Sequence, residues 1–142
     1  MSSRALMIAP LTVVALFGAA CSSDDGSESA GDGIPATLTD FAIDLQRTSA
    51  PAGPVTFDIT NGGATVHEFE ALRTDTGADA LPVDSGVVQT SADGIEIVDE
   101  VEEIAPGTGA SLSVELPAGT YAVICNVSGH YEQGMFTSFT AE

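Results

Sequence analysis

Beyond its first twenty residues and apart from Cys21, the chain has four side chains that offer sulfur or imidazole to a ligand: His67, Cys125, His130 and Met135. Three of them fall in one short segment, Cys125-Asn-Val-Ser-Gly-His130-Tyr-Glu-Gln-Gly-Met135, and the fourth lies far upstream. One thiolate, two imidazoles and one thioether are the donors of a trigonal His2Cys copper site with a weak axial methionine, a site type used for electron transfer. Thiolate and thioether are soft and suit Cu(I), while imidazole serves both oxidation states. Taken singly, each residue has a plainer reading: a strand histidine, a buried apolar cysteine, a core methionine. Taken together, in a chain this poor in such residues, they predict a metal centre.

The elements that must position these donors read as strands. From Ile34 onward, short alternating runs are broken by Gly, Pro, Asn and Asp, the pattern of an all-β sandwich or barrel. Strands are expected over residues 36–44, 55–60, 65–72, 111–116, 121–125 and 134–141. Pro51-Ala-Gly-Pro54, Asn61-Gly-Gly63, Pro106-Gly-Thr-Gly109 and Pro117-Ala-Gly119 supply turn chemistry between them. Residues 74–94 are turn-rich and polar and are expected to form a long surface connection. Residues 95–104 fit a strand or a short helix, and periodicity over so short a run does not choose. Roughly 109 residues from Ile34 onward suffice for a core without disulfides. Side-chain alternation points His67 inward with Phe69 and turns Glu68 and Glu70 outward. It also groups Cys125 with Tyr121 and Val123, and Met135 with Phe139. Two strands and the loop joining them would then meet at one end of the sandwich.

The motif Tyr121-Ala-Val-Ile-Cys125, followed by His130 and Met135 in a Cys-x4-His-x4-Met loop, with an earlier strand histidine, resembles the type 1 (blue) copper proteins, the cupredoxins. The loop length is that of rusticyanin and auracyanin; plastocyanin and azurin use shorter ones. Pro117-Ala-Gly-Thr-Tyr121 ahead of the cysteine strand is also similar to the family. The resemblance covers residues 34–142 and implies a Greek-key cupredoxin sandwich holding one copper ion. It implies Cys125 as the thiolate ligand, His67 and His130 as imidazole ligands and Met135 as the axial thioether. It further implies a one-electron carrier rather than an enzyme, with the ring edge of His130 as the electron's route and Asn126, Val127 and Gly134 framing a docking patch for a redox partner. Glu68 stands where the family often has Asn or Ser after the first histidine, so the bracing of the cysteine loop must come from elsewhere, Asn126 being one candidate.

The remaining sequence places this domain in the cell. Arg4, an apolar run over 5–16 and small residues before Cys21 read as a secretory leader over residues 1–20. The run contains Pro10 and is shorter than the roughly 20 residues that span a bilayer. Small residues directly before a cysteine look like a bacterial lipobox, although Gly18 stands where leucine is usual. On that reading Cys21 is acylated, and residues 21–33, rich in Ser, Asp and Gly, form a flexible tether reaching roughly 20 Å. The alternative is ordinary cleavage that leaves Cys21 a free thiol. With Cys21 lipidated, Cys125 has no disulfide partner, which in an exported protein suggests a metal ligand. The expected location is the outer face of the cytoplasmic membrane.

The chain lacks lysine, has arginine only at 4, 47 and 73, and has a formal net charge of −18. Such a surface excludes tight nucleic-acid binding and favours a soluble monomer. It suits a cationic redox partner, or is simply a solvated acidic surface. Among functions, a copper delivery or sequestration protein of the same fold is the alternative to an electron carrier. Multicopper enzymes need further histidines, and two-copper oxidase centres need a closely spaced cysteine pair; the sequence has neither. A purely structural adhesion domain would have no use for these donors.

Overall fold

The computed structural model describes residues 33–142. The expected leader and most of the tether, including Cys21, lie outside the described residues. Among the described residues no helix is long and apolar enough to cross a membrane.

Two sheets face each other. The first is built from β1 (Ile34–Thr39), β2 (Ala42–Leu45), β4 (Gly53–Asn61) and β9 (Gly109–Leu116), in the order β2-β1-β4-β9. The second combines β3 (Ser49–Ala50), β5 (His67–Thr74), β8 (Ile95–Ile104), β10 (Gly119–Ile124) and β11 (Phe136–Ala141), in the order β3-β11-β10-β5-β8. The pairs β1–β4 and β3–β11 are parallel and the rest are antiparallel. A two-stranded ribbon, β6 (Val83–Asp84) with β7 (Val87–Val88), stands apart. Strict alternation drives the first sheet: Ile34, Ala36 and Leu38 of β1 and Leu112, Val114 and Leu116 of β9 point into the core, with polar neighbours outward. Between the sheets, Phe57 meets Phe69 and Phe139 with ring centroids 5.2 and 5.3 Å apart. Each such ring removed from water contributes roughly 1.5–3 kcal/mol. Beyond Pro117, the Tyr121 hydroxyl donates back to the Pro117 carbonyl and pins the turn into β10.

Four expectations need correction. The run 36–44 is two strands: β1 and β2 form a hairpin closed by Asp40 and Phe41, with Thr39 opposite Ala42. That turn lacks the glycine that marks most tight hairpins; Phe41 itself takes the left-handed conformation, at φ 69°. The strand bearing the first histidine begins at His67 and leaves Thr65 exposed in the preceding loop. Residues 74–94 do not merely run over the surface. Ala78, Leu81 and Val88 bury themselves against Leu72, Ala122, Ile124 and Tyr131, a second small core on the outer face of the second sheet. That cover also explains why Glu70, expected outside, is only 5% exposed.

Residues 95–104 form the edge strand β8, and its ambiguity has a structural cause. Pairing with β5 slips twice, between His67 and Phe69 and between Ala71 and Leu72. Each slip inserts an extra β8 residue, so the side chains it turns to the main core recur every third position, at Val98, Val101 and Ile104, while Ile95 packs on the outer cluster. Bulges thus turn a two-residue period into one that imitates a helix. The residues between are mostly acidic and keep the edge from pairing with other chains.

Candidate metal centre

The site lies at one pole of the sandwich. His67 opens β5, directly after the loop from Asn61. Antiparallel pairing sets that start beside the end of β10, whose last residue Ile124 leads into Cys125. Ile124 also pairs with Phe136, so residues 125–135 form the loop of the β10–β11 hairpin. Within it, the Cys125 amide donates to the Met135 carbonyl at 3.0 Å and the Met135 amide to the His130 carbonyl at 3.1 Å. A single 3-10 turn, Tyr131–Gln133, follows His130 and ends at Gly134, whose φ of 104° suits glycine. This compact turn returns Met135 to the level of Cys125.

Three donor atoms converge. His67 Nδ1 and His130 Nδ1 lie 3.2 Å apart, and Cys125 Sγ lies 3.8 Å from the first and 3.5 Å from the second. Those sides define a triangle whose centre is about 2.0 Å from every corner, close to the ~2.0–2.1 Å of metal–imidazole and ~2.3 Å of metal–thiolate bonds. His67, Cys125 and Met135 are fully buried, and His130 is half-buried. Met135 belongs to the same apolar cluster as Cys125.

Burial governs the protons of the site. It pushes the His67 pKa down, helped by the neighbouring His130, while Asp40 pulls the other way. Burial pushes the Cys125 thiol up. Without a metal the pocket therefore favours neutral donors, and binding a cation there must release the thiol proton. Behind the donors, the Glu68 backbone N–H points at Cys125 Sγ from 3.3 Å. The bracing that an Asn or Ser side chain would give after the first histidine is replaced in part by this amide, which is indifferent to the Glu68 side chain. Asn126 braces differently again: its Oδ1 accepts from Val88 N–H at 2.7 Å and its Nδ2 donates to Val88 C=O at 3.3 Å, fastening the cysteine loop to the 74–94 connection.

Solved structures of similar fold now bear on the site. Reduced auracyanin from Roseiflexus castenholzii superposes with a TM-score of 0.60 at 20% identity, covering 78% of this chain and 96% of that one. Auracyanin A, a "blue" copper protein from Chloroflexus aurantiacus, matches with a TM-score of 0.50 at 25% identity over 76% of this chain and 99% of that one. Reduced rusticyanin gives 0.52 at 20%, over 79% and 81%. The fold is a cupredoxin fold. No family model and no curated protein matches the chain.

On this cupredoxin sandwich all four expected donors sit at one pole, three with their donor atoms in mutual reach and Met135 adjacent through the backbone of Cys125. The donor types and the triangle fit one copper ion. Three residues that complete the pole had not been singled out as site residues. Fully buried Asn61 donates to the carbonyls of Thr65 and Ile104, both at 2.8 Å, and accepts from Gly63 N–H at 2.9 Å, shaping the loop ahead of His67. The Tyr131 hydroxyl donates to Ala78 C=O at 2.7 Å and accepts from Leu81 N–H at 2.9 Å. Phe41 sets its ring edge-on to His130, centroids 5.4 Å apart, and is itself 39% exposed. Asn61 stood in a recognisable turn motif; Tyr131 and Phe41 carried no local signal.

Proposed function

We propose that this chain is a one-electron carrier that cycles a single copper ion between Cu(I) and Cu(II). His67, Cys125, His130 and Met135 would hold the ion. The observation that supports this most is the triangle of 3.2, 3.5 and 3.8 Å between the three donor atoms. Likeness in fold to a described blue copper protein agrees with it. Copper would supply the redox change and hold the Cys125 thiol deprotonated. The protein's part is to keep three donors from rearranging: His67 within the sheet, Cys125 under the Glu68 amide, and His130 on a hydrogen-bonded turn. A pocket that moves little between oxidation states opposes electron transfer least.

His130, half-buried beside Phe41, is the route by which electrons reach a partner, with Gly134, Asn126 and Val127 around it. Glu96, Glu100, Glu102 and Glu103 on β8 give the domain an acidic flank that suits a cationic redox protein. We place the domain outside the cytoplasmic membrane, held by an acylated Cys21 through the tether 21–33. The chain has no catalytic role of its own on this reading.

An optical spectrum of the copper-loaded, oxidised protein tests the proposal. A strong thiolate-to-copper band in the visible is expected, and its loss in Cys125→Ser assigns the sulfur. Loaded protein that is colourless, or that surrenders copper to a mild chelator, overturns the carrier in favour of a delivery protein.

A further inference from the structure

The buried imidazole of His67 has a second nitrogen, and its surroundings are built rather than incidental. With Nδ1 turned to the donor triangle, Nε2 must carry the ring proton if Nδ1 is to offer a lone pair. Nε2 is fully buried and has no well-aligned hydrogen-bond acceptor among the described residues. A buried N–H without any partner is costly, because it has lost its water and gained nothing in return. The nearest carboxylate oxygen is Asp40 Oδ1, 3.4 Å away, on the β1–β2 turn. That carboxylate is itself held in place: Ala64 N–H donates to Oδ1 at 3.0 Å and to Oδ2 at 3.2 Å, and Thr65 Oγ1 donates to Oδ1 at 3.3 Å.

Gly63 supplies an independent sign that the contact is accommodated by design of the chain. A Cβ at residue 63 would lie 2.6 Å from Asp40 Oδ1, 2.8 Å from His67 Nε2 and 3.1 Å from the Asp40 amide nitrogen. Its glycine is demanded by space, since the missing methyl is what lets carboxylate and imidazole approach. The turn between two strands of the first sheet and the loop leading into the second sheet thus bring one polar contact together directly behind the first ligand, with the imidazole buried and the Asp40 side chain 39% exposed.

We propose that Asp40 is a positioning residue for His67. Its carboxylate holds the ring proton on Nε2, orients Nδ1 toward the metal and places a negative charge behind the ligand. The assignment rests on the carrier reading for its metal, but the contact itself does not.

Two measurements test it. Long-range 1H–15N spectra of the metal-free, slightly alkaline protein should show His67 as the Nε2–H tautomer, and Asp40→Ala should convert it to a mixture. Copper(II) affinity, measured against a competing chelator, should fall about 10–100-fold in Asp40→Ala, as for other partners of ligand histidines. Asp40→Asn retains an acceptor for Ala64 N–H but loses the charge; it should preserve the turn, weaken copper less and shift the reduction potential upward. Gly63→Ala should reproduce the tautomer change with Asp40 intact. A wild-type His67 protonated on Nδ1, or an Asp40→Ala protein with unchanged tautomer and affinity, overturns the assignment. Failure of the wild-type protein to bind copper at all would instead sink the carrier reading, with the tautomer still deciding the role of Asp40.

Discussion

The two halves of the metal pole are supported by different means. His67 is held from the first sheet, through the Asn61 amide and the β1–β2 turn, by polar groups clamped onto backbone. The loop 125–135 is held from the opposite side by the 74–94 connection, through Asn126 on Val88 and Tyr131 on Ala78 and Leu81, over a small apolar core. The first support is a regular part of the sandwich. The second is an irregular excursion laid across the outer face of the other sheet. A rigid site needs both, because a donor triangle with sides near 3.5 Å loses its shape if either half drifts. The contrast teaches that the ligands are local while their rigidity is borrowed from distant segments.

The largest effect is expected where the first support concentrates. Asn61→Ala removes three hydrogen bonds at a fully buried position and leaves the Ile104 carbonyl without its amide partner. At about 1 kcal/mol per bond, with further cost for groups left unpaired, the loss is about 4 kcal/mol. Denaturant unfolding of the metal-free protein measures it. Hydrogen exchange should show protection lost around residues 61–67 and retained at Gly129, whose amide is bonded to Gly86 on the other support. Equal loss at both would mean that the two supports form one unit.

Glu70 lies between the supports. It pairs in register with Glu100 on β8 and with Ile124 on β10, and its Oε2 is buried without a partner. Burial, then the charges of Glu100 and Glu68, push its pKa from 4.5 up to about 7. A folded-state pKa above the unfolded one means that the native protein binds more protons through this interval. Stability from this residue is therefore complete below about pH 4.5 and lost as pH rises through about 7, by on the order of 3 kcal/mol. His67, whose pKa is pushed down, acts oppositely and costs stability as pH falls below its ordinary range. Comparison with Glu70→Gln isolates the first effect: the variant should be the more stable protein at pH 8 and should converge on wild type near pH 5. Parallel pH profiles for the two proteins would refute it.

How much of this could be read from residues alone follows the same division. Cys125, His130 and Met135 were legible because their chemistry is local to one loop, and His67 because alternation along a strand gives it an inward face. The first sheet was legible for the same reason, its strands keeping a clean two-residue period. β8 was not, because two bulges stretched its apolar spacing to three. The β1–β2 turn was hidden because a phenylalanine occupies the left-handed position where glycine would have announced it. The supports were least legible of all. Nothing near Asp40 in sequence points to His67, and nothing in the polar stretch 74–94 shows that Ala78, Leu81 and Val88 will find an apolar face, since both facts depend on strand order.

The smallest effect belongs to the second support and is its most direct test. Tyr131→Phe keeps the ring, which packs against Phe136 at 5.1 Å between centroids, and deletes only the hydroxyl. The Ala78 carbonyl loses a donor and the Leu81 amide loses its acceptor, both buried. Because the apolar cluster around them remains, the cost is about 2 kcal/mol rather than collapse of the connection. Exchange protection should disappear at Leu81 while the Ala64 amide, bonded to Asp40, stays as it was. If the connection stiffens the loop as argued, the spread of conformations at His130 should widen as well, visible as broadened metal-free imidazole resonances. Sharp His130 signals alongside an unprotected Leu81 would show that the 3-10 turn holds the ligand unaided, and that the excursion over the sheet serves stability alone.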